Sequence, residues 1–292
     1  MSLDISNEKS NYVYPGVQHK YKPTLTVICC DNCLKRCDWC FRKRFYLDRL
    51  SNDKVASIDK VVDYVAEHKE IKSILFTGGD SFLADSKYMM EMIIALNQFD
   101  HITSYRFGTR AVVLDHHTYF NLTEVLSMAS RKTVYIMLHI VHPDEITKDL
   151  KKITLTPNTR FYLSQVPLLK SINNDYEILS ELFIKMEQIR ISPYYIFQCR
   201  YVDGNKKYMV TLDEGYELMR SLKRRLSGVS KRFKYVMSTD EGKLEIVGKN
   251  DLQNVIYLSY HQARDEKNLG YIIPVNKNAV WMRNGQPIFI RK

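Results

Sequence analysis

No run of apolar residues in this chain reaches the roughly eighteen that a membrane helix needs. The opening stretch, "MSLDISNEKSNYVYPGVQHKYKP", is polar and has no apolar segment of the signal-peptide kind. The cytosol is therefore the expected compartment. There is no low-complexity segment, no internal repeat, and no Pro/Gly-rich linker in the first 250 residues. Repeat architectures and flexible tethers are excluded, and the 45% hydrophobic content suffices for a sizeable core. Cysteine is scarce, at 6 of 292 residues. In the cytosol such residues bind metal or do chemistry more often than they form disulfides. Acid is short as well: 33 Asp and Glu face 43 Lys and Arg, a net charge of +10. A basic balance invites a nucleic-acid reading. Much of the excess is local, however, around the cysteines (Lys35, Arg36, Arg42, Lys43, Arg44) and in "SLKRRLSGVSKRFK", which reads as a solvated helix face.

What is present is alternation. Short β-branched and aromatic runs alternate with stretches of helical period. The strand candidates are 24–30, 72–77, 102–108, 133–140, 160–169 and 192–200. Helix candidates such as "SIDKVVDYVAEHK", with Ser57 placed to cap, lie between them. Six βα units predict a parallel sheet with right-handed crossovers, as a barrel or a doubly wound sheet. After about residue 230 short strands follow without helices. The expected division is an N-terminal segment (1–22), a core (23–249) and a small β-rich C-terminal extension (250–292).

The unusual polar residues fall at one end of these strands. The cysteine block follows strand one, "TGGD" (Thr77 to Asp80) ends strand two, and Arg106 and Arg110 end strand three. His139 and His142 end strand four, Gln165 lies in strand five, and Gln198, Cys199 and Arg200 end strand six. In parallel α/β folds, ligands bind at that end. Each feature alone has a plain structural explanation: a turn, a hydrogen-bonded core histidine, an ion pair.

Four cysteines, Cys30, Cys33, Cys37 and Cys40, crowd into "CDNCLKRCDWC". A four-thiolate zinc site is conceivable, but the two pairs in zinc ribbons and fingers are usually separated by about a dozen residues or more. Cys29, Cys30 and Cys199 read as buried thiols. That leaves Cys33-x3-Cys37-x2-Cys40, three thiolates on one tight loop, able to ligate three irons of a cubane and leave the fourth open.

This spacing on the loop after strand one resembles the signature of radical S-adenosylmethionine (SAM) enzymes. "CDWCFRKRF", "LFTGGDSFL", "YRFGTR", "HIVHPDEIT" and "RISPYYIFQC" resemble, in order, the lysine 2,3-aminomutase-like family, from about His19 to Gly248. The resemblance implies a partial (β/α)6 TIM-type barrel with a [4Fe–4S] cluster on Cys33, Cys37 and Cys40. It implies reductive cleavage of SAM to a 5′-deoxyadenosyl radical that abstracts hydrogen from a substrate. It further implies that Gly78, Gly79 and Asp80 shape the SAM methionine site, and that Arg110, His142 and Gln165 belong to the SAM pocket. Arg42 matches the arginine that holds a substrate carboxylate, and Trp39 the aromatic position beside the last cysteine. An electron donor such as flavodoxin or ferredoxin is implied too.

The departures bear on chemistry. The family's pyridoxal phosphate (PLP) lysine aligns near Lys243, but only Gly242 remains of its glycine run, and Lys20 and Thr24 replace two phosphate arginines. Two aspartates that hold a lysine substrate read Arg200 and Ser238, which disfavours lysine and suits a small-molecule or peptide substrate with an anionic group. Three readings stay open: PLP-free hydrogen abstraction, a PLP-dependent 2,3-amino shift on a non-lysine amino acid, and a zinc-bound basic nucleic-acid module. Lys243 as an exposed strand-edge lysine, and Arg200 as the ion-pair partner of Asp203 or Asp213, are the plain alternatives.

Overall fold

Twelve strands form one sheet among the residues that the computed structural model describes, namely 4, 7–47 and 51–290. They run in chain order across the sheet: β1 (Tyr12–Tyr14), β2 (Val17–Tyr21), β3 (Thr24–Cys30), β4 (Ser73–Gly78), β5 (Ser104–Thr109), β6 (Thr133–His139), β7 (Arg160–Leu168), β8 (Ile191–Gln198), β9 (Lys234–Ser238), β10 (Gly242–Asn250), β11 (Val255–Ala263) and β12 (Ile272–Asn276). From β3 to β9 each neighbouring pair is parallel, and the flanking strands on both sides are antiparallel. The fold is a partial (β/α)6 barrel, six βα units closed off by β9 as a seventh parallel strand. By sequence pattern β9 belongs with the late helix-free strands. Its parallel direction follows from the helix that precedes it, which must return the chain to the same edge.

The helices are α1 (Arg44–Leu47), α2 (Ile58–Glu67), α3 (Ser86–Leu96), α4 (Ala111–Leu114), α5 (Thr123–Ala129), α6 (Lys148–Leu155), α7 (Tyr176–Gln188) and α8 (Leu212–Arg225). The α3 face Met89, Met92, Ile93 and Leu96 has helical spacing and is wholly buried. Asp175 starts α7 by accepting from the amides of Glu177 and Ile178, and Thr211 with Glu214 forms a capping box on α8. Ser57 takes the N-cap position of α2, but its hydroxyl makes no capping bond. The short α6 escaped sequence reading; Thr147 caps it. Lys223, Arg224 and Arg225 form the exposed last turn of α8, where the helix dipole favours cations.

Burial along the parallel strands alternates. Ile74 and Phe76 in β4, and Tyr105 and Phe107 in β5, are buried under the helices. Their alternates, such as Leu75 and Thr77, are only half-buried and line a cavity of about 360 Å³. The barrel is therefore hollow at one end.

Both flanks reach back to it. The turn Glu8–Asn11 precedes β1, and its Glu8 shares a salt bridge with Arg44 at 2.6 Å. Arg44 is also held by Asp53 at 2.9 Å, and all three are buried. Removing one member of such a network costs about 3–5 kcal/mol, because it strands the other charges. On the C-terminal side, Lys22 pairs with Glu266 at 2.9 Å and Arg264 donates to Ser10 at 2.9 Å, so the two antiparallel flanks touch. β13 (Trp281–Arg283) and β14 (Gln286–Ile288) form a separate hairpin, with Trp281 buried. No helix is long and apolar enough to cross a membrane among the described residues.

Candidate active site

The cysteine loop leaves the C-terminal end of β3, and the thiols of Cys33, Cys37 and Cys40 all line the cavity. Cys33 Sγ accepts a 2.7 Å hydrogen bond from the Tyr46 hydroxyl. Burial pushes the Cys33 thiol up to about 11, with that bond pulling the other way. Cys29 and Cys30 are buried off the cavity, as their strand positions imply. Cys199 is buried too, yet stands on the cavity wall.

The turn after β4 is docked directly onto the cysteine loop. Gly79 N donates to Cys30 O at 2.7 Å, and Asp80 N donates to Asn32 O at 2.8 Å. Gly78 has φ +128°, and a Cβ there would lie 2.1 Å from Cys30 O. A Cβ on Gly79 would lie 2.0 Å from Asn32 O. Glycine is required at both positions for backbone to meet backbone. Asp80 does not offer its carboxylate to the cavity. Oδ1 accepts from Phe82 N, and Oδ2 from Arg110 N and Ala111 N at 2.7 Å each. It shapes the site by tying the β4 turn to the β5 turn.

Trp39 Nε1 donates to His139 Nε2 at 3.3 Å. Burial, then the nearby Arg110 guanidinium, depresses the His139 pKa to about 3, so the ring is a neutral acceptor. Arg110 lies over the Trp39 ring and pairs with Glu145 at 2.6 Å. Gln165 lines the cavity, and its carboxamide has no hydrogen-bond partner among the described residues. His142 does not line the cavity: its Nδ1 faces the backbone N–H and carboxylate of Asp144, capping the turn Pro143–Glu145. The histidine of this strand end that meets the cavity is His139.

The cavity is also lined by cations. Arg42 donates to Thr77 Oγ1 at 3.2 Å and to Glu8 at 3.4 Å. Arg200 stacks on Phe41 at 3.9 Å and donates to Glu8 at 3.3 Å. Its carboxylate partner is thus Glu8, whereas Asp213 pairs with Lys249. Burial alone would raise the Glu8 carboxyl. Arg42, Arg200 and Arg44 outweigh it and hold it far below the usual range. Lys20 and Lys243 line the same cavity. Burial, with Arg200 and Arg264 nearby, lowers Lys20 to about 8. Burial, then Arg106, Arg200 and Lys20, lowers Lys243 to about 7. Lys243 is no exposed edge residue: β10 is paired on both sides, and its ammonium lies 4.2 Å from the Tyr195 ring centroid.

A profile of the Radical SAM superfamily matches residues 27–184, just over half the chain. The chain is 35% identical over 285 residues to the "Putative L-lysine 2,3-aminomutase" of Aquifex aeolicus (strain VF5), covering 94% of this chain and 75% of that protein. The chain belongs to the radical SAM superfamily, in its lysine 2,3-aminomutase-like family. The glutamate 2,3-aminomutase of Clostridioides difficile (strain 630) is 31% identical over 78% of this chain, and the L-lysine 2,3-aminomutase of Clostridium subterminale 28% over 77%. This chain spans 54% of the length of each of those two. Membership makes it an enzyme of the aminomutase type and implies SAM and a [4Fe–4S] cluster.

The chain's own residues fit those groups. Among the described residues, the side-chain sets with three ligand atoms within 4.8 Å of one another contain no cysteine. Thiolates around one zinc, with Zn–S near 2.3 Å, stand roughly 3.8 Å apart. Thiols more widely set around a cavity suit a polynuclear centre. For this radical SAM protein, sequence reasoning missed Tyr46 and Glu8. Tyr46 follows the loop's basic run and gave a faint signal. Glu8 gave none, being one acid in a polar segment 34 positions before Arg42.

Proposed function

We propose that Cys33, Cys37 and Cys40 carry the [4Fe–4S] cluster and that the enzyme abstracts hydrogen from a small amino-acid-like substrate with an anionic group, not from lysine. The observation that carries this is the shared cavity, which Cys33, Cys37 and Cys40 line together with Lys20, Arg42, Arg200 and Lys243. Among the described residues the acids on its wall are Glu8 and Asp80, and both are consumed by internal partners. The distal ammonium of a lysine meets no unspent carboxylate among them.

When bound, the reduced cluster and SAM supply a 5′-deoxyadenosyl radical at the loop. The chain's residues then have separable tasks. Gly78 and Gly79 let the β4 turn seat against the loop. Trp39 and His139 fix the loop's far side, and Gln165 offers an unspent carboxamide to a nucleoside. Arg42 and Arg200 orient the substrate's anionic group. Exposed Lys35 and Arg36 beside the cysteines suit an acidic reductant such as flavodoxin or ferredoxin.

One observation favours a second reading, a PLP-dependent amino shift. Lys243 is half neutral near pH 7, faces the cavity and has no hydrogen-bond partner among the described residues, which fits a lysine that adds to an aldehyde. Lys20 and Arg106 nearby would suit a phosphate. PLP would supply the electron delocalisation that an amino shift needs.

Transfer of deuterium into 5′-deoxyadenosine from a panel of deuterated amino acids tests the proposal. Label from acidic amino acids or their derivatives, with none from lysine, supports it. Label from lysine alone contradicts it.

A further inference from the structure

The wall formed by Arg42 and Arg200 contains a carboxylate that the chain itself provides. Glu8 is carried on a fastened turn: Asp4 accepts from Glu8 N at 2.8 Å and Lys9 N at 3.0 Å, and Arg264 holds Ser10 and Asn11. Glu8 Oε2 accepts from Arg44 Nη1 at 2.6 Å and Arg42 Nε at 3.4 Å, and Oε1 from Arg200 Nη1 at 3.3 Å. Arg44 is balanced by Asp53 as well. For Arg42 and Arg200 the paired carboxylate among the described residues is Glu8. Both line the cavity, and Arg42 Nη2 and Arg200 Nε and Nη2 have no hydrogen-bond partner among the described residues.

Two guanidinium groups this close repel unless an anion stands between them. A carboxylate shared between them cancels one positive charge and fixes both planes. The edges left free then form a single fork with one net positive charge. Such a fork matches one substrate carboxylate. A dianion such as a phosphate monoester would face the Glu8 carboxylate behind the arginines.

We infer that Glu8 is a positioning residue that sets substrate charge, holding Arg42 and Arg200 as one fork for a monoanionic carboxylate and disfavouring dianions. The inference rests on the proposed anionic-substrate reading and narrows it, since phosphorylated compounds become the poorer candidates.

Acetate and sulfate are the probes, titrated by calorimetry into cluster-loaded, SAM-bound protein. In Glu8→Gln the ratio of sulfate to acetate affinity should rise at least tenfold over wild type. Adding Arg200→Gln should remove that rise, which locates it at the fork. An unchanged ratio in a Glu8→Gln protein that keeps its iron and still unfolds cooperatively overturns the inference. If Glu8→Gln does not hold its fold, Glu8→Ala is melted with and without formate. Formate replacing the missing carboxylate should raise its melting temperature and leave wild type unmoved; no response overturns the inference. Because these probes are simple anions, a wild-type protein that takes label from lysine contradicts the proposed function and leaves this result standing.

Discussion

The indole of Trp39 donates to His139 across 3.3 Å, joining the cysteine loop to the end of β6. The neighbouring Arg110 lies over the same indole and is anchored by Glu145. The Trp39 ring is thus held by a neutral hydrogen bond and a cation–π contact. Trp39→Phe removes the first and keeps most of the second. It should cost about 0.5–1.5 kcal/mol, read as a shift in the urea midpoint of the anaerobic protein.

The same pair predicts an acid response. The unfolded chain protonates a histidine below about pH 6.5. Folded His139 resists down to about pH 3, because burial and Arg110 oppose its charge. Between those values the unfolded state binds the extra proton, so this contribution is whole above pH 6.5 and is lost as pH falls toward 3. His139→Gln should lose stability less steeply from pH 6.5 to 4 than wild type does, in melts of the two proteins without cluster. Parallel slopes would show that His139 titrates freely.

Each of Cys33→Ala, Cys37→Ala and Cys40→Ala should lose the cluster, whereas Cys30→Ala and Cys199→Ala should keep about four irons and four sulfides per chain. Iron and sulfide assays after anaerobic reconstitution read this directly. Loss of metal in Cys30→Ala, with zinc as the native ion, would return the site to a zinc clip.

Gly79→Ala places a methyl group 2.0 Å from the Asn32 carbonyl oxygen. The backbone contact between the β4 turn and the cysteine loop must open. The variant should lose at least roughly 2 kcal/mol of stability and bind SAM at least tenfold more weakly. Wild-type affinity and melting temperature in Gly79→Ala would mean that the loop yields freely there.

Arg200 and Ser238 both line the cavity where lysine-binding relatives by resemblance carry aspartates. Arg200→Ala should weaken glutamate binding about tenfold or more, as loss of a charged hydrogen bond does. Arg200→Asp with Ser238→Asp should gain measurable lysine binding. Tight lysine binding by wild type, undiminished in Arg200→Ala, would sink the anionic preference.

The residues that spoke plainly in the sequence are those whose chemistry is local. The spacing Cys33, Cys37, Cys40 and the run Thr77 to Asp80 sit on adjacent strand ends, so chain order and parallel topology together place them. Period-two runs and the helical intervals between them pointed to a parallel sheet, as a barrel or a doubly wound sheet, and the family resemblance decided for the barrel. Glu8 was illegible because its partners, Arg42, Arg44 and Arg200, come from distant parts of the chain and meet it only once the N-terminal turn folds back. His139 and His142 were not separable by sequence: three residues apart at a strand end, only the turn that follows decides which faces inward. The direction of β9 was hidden for a related reason, since a strand's sense depends on the preceding helix and not on its own residues.

The most direct test of the central claim is anaerobic cleavage of SAM by the reduced, cluster-loaded protein, with methionine and 5′-deoxyadenosine measured chromatographically. The account predicts equal amounts of both from wild type and neither from Cys37→Ala. A protein with a full cluster that binds no SAM at millimolar concentration, and releases neither product, would contradict it.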